Sequence, residues 1–159
     1  SQPARIVNVS STAAYMFVPE GGIEFEKLND PNSHNPRQRY SQSKFANILF
    51  TNELNKRLPE EIQVFANSLH PGIVDTPLLR RDDLSFPGNI STSSISSEDG
   101  AITILYCATS PEIEKKNYRG KYFEPFGIVV EKKSSYGDDN NLAKRLWEFT
   151  ENLISEKLL

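Results

Sequence analysis

Tyr40 and Lys44 stand four residues apart in Y-S-Q-S-K, at the head of a run free of glycine and proline until Pro59. On a helix this spacing brings both side chains out on one face, one turn apart. A phenol ordinarily loses its proton near pH ~10, and an adjacent ammonium favours the phenolate, so the pair suits proton transfer near neutral pH. A spacing this short recurs by chance, and it gains meaning from two further motifs. Asn8-Val9-Ser10-Ser11 closes one apolar run, and His70-Pro71-Gly72-Ile73-Val74-Asp75-Thr76 follows another.

The elements that must position these groups can be read around them. Arg5 to Val9 is too densely apolar for a half-solvated strand and predicts a buried parallel one. Pro19 to Arg39 is polar and holds the turn-forming pairs Gly21-Gly22, Asp30-Pro31 and Asn35-Pro36, which predicts a loop with little regular structure. From Tyr40 to Arg57, Phe45, Ile48, Leu49, Phe50 and Leu54 recur at helical intervals. The first half of that helix is apolar around much of its circumference, which predicts burial on two sides or pairing with a second copy of the chain. Gln63 to Leu69 predicts a second strand, broken by His70-Pro71-Gly72. Strand, helix, strand implies a right-handed crossover with both strand ends at one rim, where open parallel sheets bind ligands.

Beyond Thr76-Pro77, the Ser/Thr-rich stretch from Phe86 to Ser97 reads as a lid over that rim. Ser97, Glu98 and Asp99 predict a helix start, with Ala101, Ile102, Leu105 and Ala108 as its inner face. Lys121 to Phe123, continued loosely by Ile128 to Val130, predicts a third strand. Leu142, Leu146, Phe149 and Leu153 mark an amphipathic last helix begun near Asp138-Asp139.

The 159 residues fit one domain, with 37% hydrophobic and 25% charged residues and a mean hydropathy of −0.50. A net charge of −3, with basic pairs such as Arg80-Arg81, Lys115-Lys116 and Lys132-Lys133 scattered, argues against a nucleic-acid partner. No apolar run approaches the roughly 20 residues of a membrane helix. The single cysteine, Cys107, can form no internal disulfide, reads as core filling, and fits a reducing, cytoplasmic setting. His34 and His70 are the only histidines and no carboxylate pattern accompanies them, so no metal site is expected and His70 reads as structural. Arg80-Arg81 reads as a solvated pair.

R-I-V-N-V-S-S at Arg5 to Ser11, Y-S-Q-S-K-F-A-N-I-L-F-T-N-E-L at Tyr40 to Leu54 and H-P-G-I-V-D-T at His70 to Thr76 together resemble the short-chain dehydrogenase/reductase family. E-D-G-A at Glu98, G-K-Y-F at Gly120 and R-L-W at Arg145 extend the likeness over nearly the whole chain, and the long polar interval before Tyr40 is similar to the retinol-dehydrogenase-like branch. The resemblance implies an α/β, Rossmann-like doubly wound parallel sheet, of which residues 1–159 supply the carboxyl-terminal portion: about three strands with flanking helices. It implies that an amino-terminal dinucleotide-binding half is absent from this chain, and that any membrane association would come from such a segment. It further implies an NAD(P)-dependent oxidoreductase acting on a small-molecule alcohol or carbonyl, NADP being favoured over NAD. Tyr40 would be the general acid/base, Lys44 would assist it and hold the nicotinamide ribose, and Ser11, rather than Ser10, would orient the substrate oxygen. Pro71, Gly72, Val74 and Thr76 would pack on the nicotinamide. A homodimer through the Tyr40 helix is common in such proteins. The alternative is an inactive fragment or pseudoenzyme that binds no dinucleotide and acts, if at all, as an interaction module.

Overall fold

The computed structural model describes residues 3–80, 94–130 and 137–158. Strand β1 (Ala4–Val9) pairs in parallel with β2 (Val64–Leu69), and β2 pairs in parallel with β3 (Tyr122–Glu124). A fourth strand, β4 (Ile128–Val130), runs antiparallel to β3, giving the order β1-β2-β3-β4. The expectation of one loosely continued third strand is therefore corrected. Pro125-Phe126-Gly127 forms a tight turn in which Phe126 (φ 67°) and Gly127 (φ 74°) are both left-handed, folding the chain back as a hairpin.

Side chains alternate across the sheet and divide the core in two. Val7, Val9, Phe65, Leu69 and Phe123 meet helix α3 (Ser97–Thr109) through Ile104, Tyr106 and Cys107, with Ile113 of the short α4 (Glu112–Lys115) completing that layer. The opposite face meets helix α2 (Pro36–Arg57): Asn8 bonds to Thr51, and Asn55 reaches the Ala66 carbonyl. There the short α1 (Ala13–Met16) and the last helix, α5 (Asn140–Leu158), pack on α2. Phe45, Ile48, Leu49, Tyr122, Leu142 and Ala143 form that core, with Leu146 and Phe149 against it. Burial inside the chain thus accounts for the apolar start of α2. This is an α/β Rossmann-like sheet with helices on both faces.

Two helix starts differ from expectation. α2 begins at Pro36, four residues before Tyr40, because Asn35 is its N-cap. The Asn35 carboxamide accepts from the Gln38 amide (3.0 Å) and the Gln38 carboxamide accepts from the Asn35 amide (3.2 Å), while Pro36 occupies a first position that needs no N–H. For α3 the cap is Ser96 rather than Ser97, its hydroxyl accepting from the Asp99 amide at 3.0 Å. Its inner face is Gly100, Thr103, Ile104 and Cys107, whereas Ile102 and Leu105 lie 42% and 57% exposed. Asp139 caps α5 by accepting from the Asn141 and Leu142 amides, as its place in the sequence predicts. Of the stretch read as a lid, residues 86–93 lie outside the described residues, as do Arg81 and the Lys132-Lys133 pair.

Candidate active site

The parallel register sets Val9 beside Leu69, so Ser10-Ser11 and His70-Pro71-Gly72 emerge together at one edge of the sheet. The Ser10 amide donates to the Leu69 carbonyl (2.6 Å) and its hydroxyl donates to the Lys44 carbonyl (2.6 Å), which fastens the end of β1 to both β2 and α2. Ser10 is thereby committed to the scaffold. Ser11, 9% exposed, accepts from the Ala13 amide at 3.2 Å. That contact uses an acceptor site and leaves the hydroxyl proton for another partner.

Lys44 reaches back along α2 toward Tyr40, its Nζ 5.7 Å from the centre of the Tyr40 ring. One of its N–H groups donates to the Val9 carbonyl (3.2 Å), which Asn47 Nδ2 also contacts at 3.0 Å. An ammonium has three donors, so further bonds remain available to it. Burial, which disfavours the charged form, holds the Lys44 ammonium below the usual lysine range.

The segment from His70 takes its path from Gly72, at φ +103°. A Cβ there would stand 2.7 Å from Ile95 Cδ1 and 3.2 Å from Pro125 Cγ, so both backbone sterics and packing demand glycine. The following residues pair with Ile95, whose amide donates to the Ile73 carbonyl (2.8 Å) and whose carbonyl accepts from the Asp75 amide (3.0 Å). That contact runs directly into the Ser96 cap of α3.

These elements enclose a cavity of about 490 Å³. Ser11, Tyr40, Lys44, Pro71, Gly72, Val74 and Thr76 all line it, so every residue assigned a catalytic or cofactor role from the resemblance lies on one wall or another. His70 also lines it, buried among the strand ends. Sequence reasoning missed Ala13 and Met16, Leu78, and Ala101 and Ile104, which form apolar walls. The i, i+3 spacing of Ala13 and Met16 directly after Ser11 was a usable signal, as was Asn47 three residues beyond Lys44 on the same helix face. Cys107 lies elsewhere, 1% exposed in the α3 core, where burial pushes its thiol up to about 12.

Over 154 residues, 94% of this chain, it is 35% identical to short-chain dehydrogenase TIC 32 A, chloroplastic, of Brassica napus. It is 38% identical over 160 residues, 97% of its length, to retinol dehydrogenase 14 of Homo sapiens. Over 94–97% of its length the chain is thus similar to members of the short-chain dehydrogenase/reductase family. It spans about half the length of these relatives, 47% and 45% respectively. A crystal structure of an uncharacterized protein from Mycobacterium paratuberculosis superposes with a TM-score of 0.65 at 30% identity, covering 94% of this chain and 50% of that one. No family model matches the chain. Among the described residues, no helix of this chain is long and apolar enough to cross a membrane.

Proposed function

We propose that the intact protein is an NAD(P)-dependent oxidoreductase interconverting an alcohol and a carbonyl, and that residues 1–159 are the carboxyl-terminal, catalytic part of its single dinucleotide-binding domain. The carrying observation is the convergence of Ser11, Tyr40, Lys44 and the Pro71–Thr76 segment around one cavity at the carboxyl edge of β1 and β2. The nicotinamide supplies hydride chemistry when bound. The residues present suit its ribose end: Lys44 is a half-buried ammonium with donors to spare, and Pro71, Gly72, Val74 and Thr76 offer backbone and small side chains to a flat ring.

In this reading Tyr40 gives its phenolic proton to the carbonyl oxygen during reduction and takes it back during oxidation. Lys44 stabilises the phenolate by charge and donates to ribose hydroxyls. Ser11 donates its free hydroxyl proton to the substrate oxygen and holds it in reach of Tyr40. NADP, the cofactor the resemblance favours, and a cytoplasmic setting belong to the same proposal. So does pairing of two copies along the outward strip of α2 that carries exposed Ser43 and Phe50.

The test is turnover of aliphatic and aromatic aldehydes by the full-length protein with NADPH and with NADH, beside its Tyr40→Phe variant. Loss of a positioned proton donor should cost roughly 10²–10⁴-fold. Undiminished turnover by Tyr40→Phe would refute the mechanism. The second reading, a chain that binds no dinucleotide by itself and serves as an interaction module, draws support from the outer edge of β1. No described strand pairs with that edge, and all six of its residues are only half-buried. Titration of NADPH into residues 1–159 and into the full-length protein separates the two readings, since saturable binding by the short chain excludes the second.

A further inference from the structure

The residues between Val18 and Asn35 do not line the cavity, yet they are tied to the helix that carries Tyr40 and Lys44 at two levels. The Glu24 amide donates to Oε1 of Gln42 (2.9 Å), a residue 3% exposed on α2 between Tyr40 and Lys44. The Glu24 carboxylate then forks, one oxygen meeting Lys27 Nζ (2.6 Å) and the other His34 Nε2 (2.5 Å). A carboxylate only accepts, so Nε2 carries the proton in that contact. The Lys27 ammonium and the His34 ring beside Glu24 hold its carboxyl below the usual range.

His34 is itself buried, 6% exposed, with Nδ1 2.8 Å from the Ser33 hydroxyl. Its carbonyl accepts from Arg39 Nε (2.9 Å) and Nη2 (2.7 Å), and Arg39 also bonds the Pro31 carbonyl. The next residue is Asn35, the N-cap of α2. The bonds therefore close a ring: from Gln42 in the second turn, through Glu24 and His34, to the cap and first turn of the same helix.

That turn matters to the chemistry. The first amides of a helix have no intrahelical partners, and such turns fray unless something holds them. Side chains on a helix lean toward its amino end, so a residue at position 40 covers the turn formed by residues 36–39. We propose that the Glu24–His34 pair is a positioning device for Tyr40, clamping the first turn of α2 so that the phenol keeps its place relative to Lys44 and Ser11. The inference rests on the catalytic role proposed above for Tyr40.

The experiment uses the full-length protein, NADPH, and whichever aldehyde of the panel the wild type reduces fastest. Glu24→Ala, His34→Ala and the double variant are compared with Glu24→Gln and Tyr40→Phe, with thermal unfolding measured alongside. A shift of ~1 Å at a reacting group costs about 10²-fold, so a loosened turn should lower kcat on the order of tenfold while KM for the aldehyde moves less than about twofold. The double variant should be no worse than either single one, because both break the same link. Glu24→Gln keeps an acceptor for the His34 N–H and should recover most of kcat. Should the alanine variants fail to fold, Gln42→Met, which replaces the carboxamide that accepts the Glu24 amide by an apolar group of similar volume, carries the test. Lower thermal stability with wild-type kcat overturns the proposal, as do independent, additive losses in the double variant. Absent turnover by the wild type, or undiminished turnover by Tyr40→Phe, sinks the functional reading beneath it instead.

Discussion

Thr51 is fully buried on α2, seven residues beyond Lys44, and its hydroxyl carries two bonds. It accepts from Asn8 Nδ2 at 2.8 Å and donates to the Asn47 carbonyl at 2.7 Å. Thr51→Val keeps the shape and removes both. Losing the donation costs little, since the Asn47 carbonyl keeps its backbone partner one helical turn on. Losing the acceptor strands the Asn8 carboxamide between sheet and helix, at a cost of about 1–3 kcal/mol. The added methyl returns at most ~0.8 kcal/mol of apolar burial. The net expectation is a loss of ~0.2–2 kcal/mol, read by urea unfolding of the full-length protein. Asn8→Leu combined with Thr51→Val should cost less than the sum of the single variants, by at least ~0.5 kcal/mol, because the pair no longer leaves a polar group alone. A single variant at least as stable as wild type, or an additive pair, refutes the reasoning that Asn8 and Thr51 satisfy each other.

Because burial lowers the Lys44 pKa, its ammonium is lost at a pH below the usual lysine value of ~10.4, and in the proposed mechanism the stabilisation it would give a phenolate or a ribose is lost as the pH rises through that point. The alkaline limb of kcat/KM should therefore begin below the ordinary lysine range, and Lys44→Arg, charged throughout, should move the limb upward at a lower overall rate; an unmoved limb would count against Lys44 as its source. Gly22 sits at φ +87°, where a Cβ would lie 2.6 Å from Leu142 Cδ2 and 3.0 Å from Phe45 Cε1. Gly22→Ala should cost ~2–5 kcal/mol in chemical unfolding, combining roughly 1–2 from the left-handed backbone and roughly 1–3 from overpacking the α2–α5 seam. A loss below ~1 kcal/mol would mean that the seam yields.

The sheet and its crossover were legible because the apolar density of β1 and β2 marks parallel strands without help from tertiary context, although only β2 is buried and β1, expected to be buried, is half-buried. That Tyr40, Lys44 and the Pro71–Thr76 segment would meet at one edge was legible from the ends of two parallel strands, whereas the roles given to them come from the family resemblance. The start of α2 was misread although its signal was present: Asn35, Pro36 and Gln38 spell a capped helix start as well as a turn, and Gln38 three residues after Asn35 decides between them. The inner face of α3 was not legible from apolar residues. Gly100 faces Val74, whose Cγ2 would be 2.6 Å from an added Cβ, and Thr103 lies fully buried near the β3–β4 turn, so close packing selects small residues where periodicity expects large ones. The hairpin was hidden because Phe126 adopts a left-handed conformation that its own Cβ disfavours, which only the surrounding turn imposes.

The two sides of the cavity are built differently, and the difference bears on what each can change. On the α2 side, the Val9 carbonyl receives both Lys44 and Asn47, Ser10 holds the Lys44 carbonyl, and Asn8 holds Thr51. These bonds join strand end and helix into one body, which ties the spacing of Ser11 and Lys44 to the backbone of β1 and α2. Across the cavity, the Ile73–Asp75 segment belongs to α3 through Ile95, and the contributions of Ala101, Ile104 and Leu78 are apolar contacts without directional bonds. Apolar walls accept changes of size at about 1–3 kcal/mol each, whereas breaking the polar ladder under Lys44 strands buried groups. On the proposed function, differences in substrate shape would fall to the α3 side, while β1 and α2 hold Ser11, Tyr40 and Lys44.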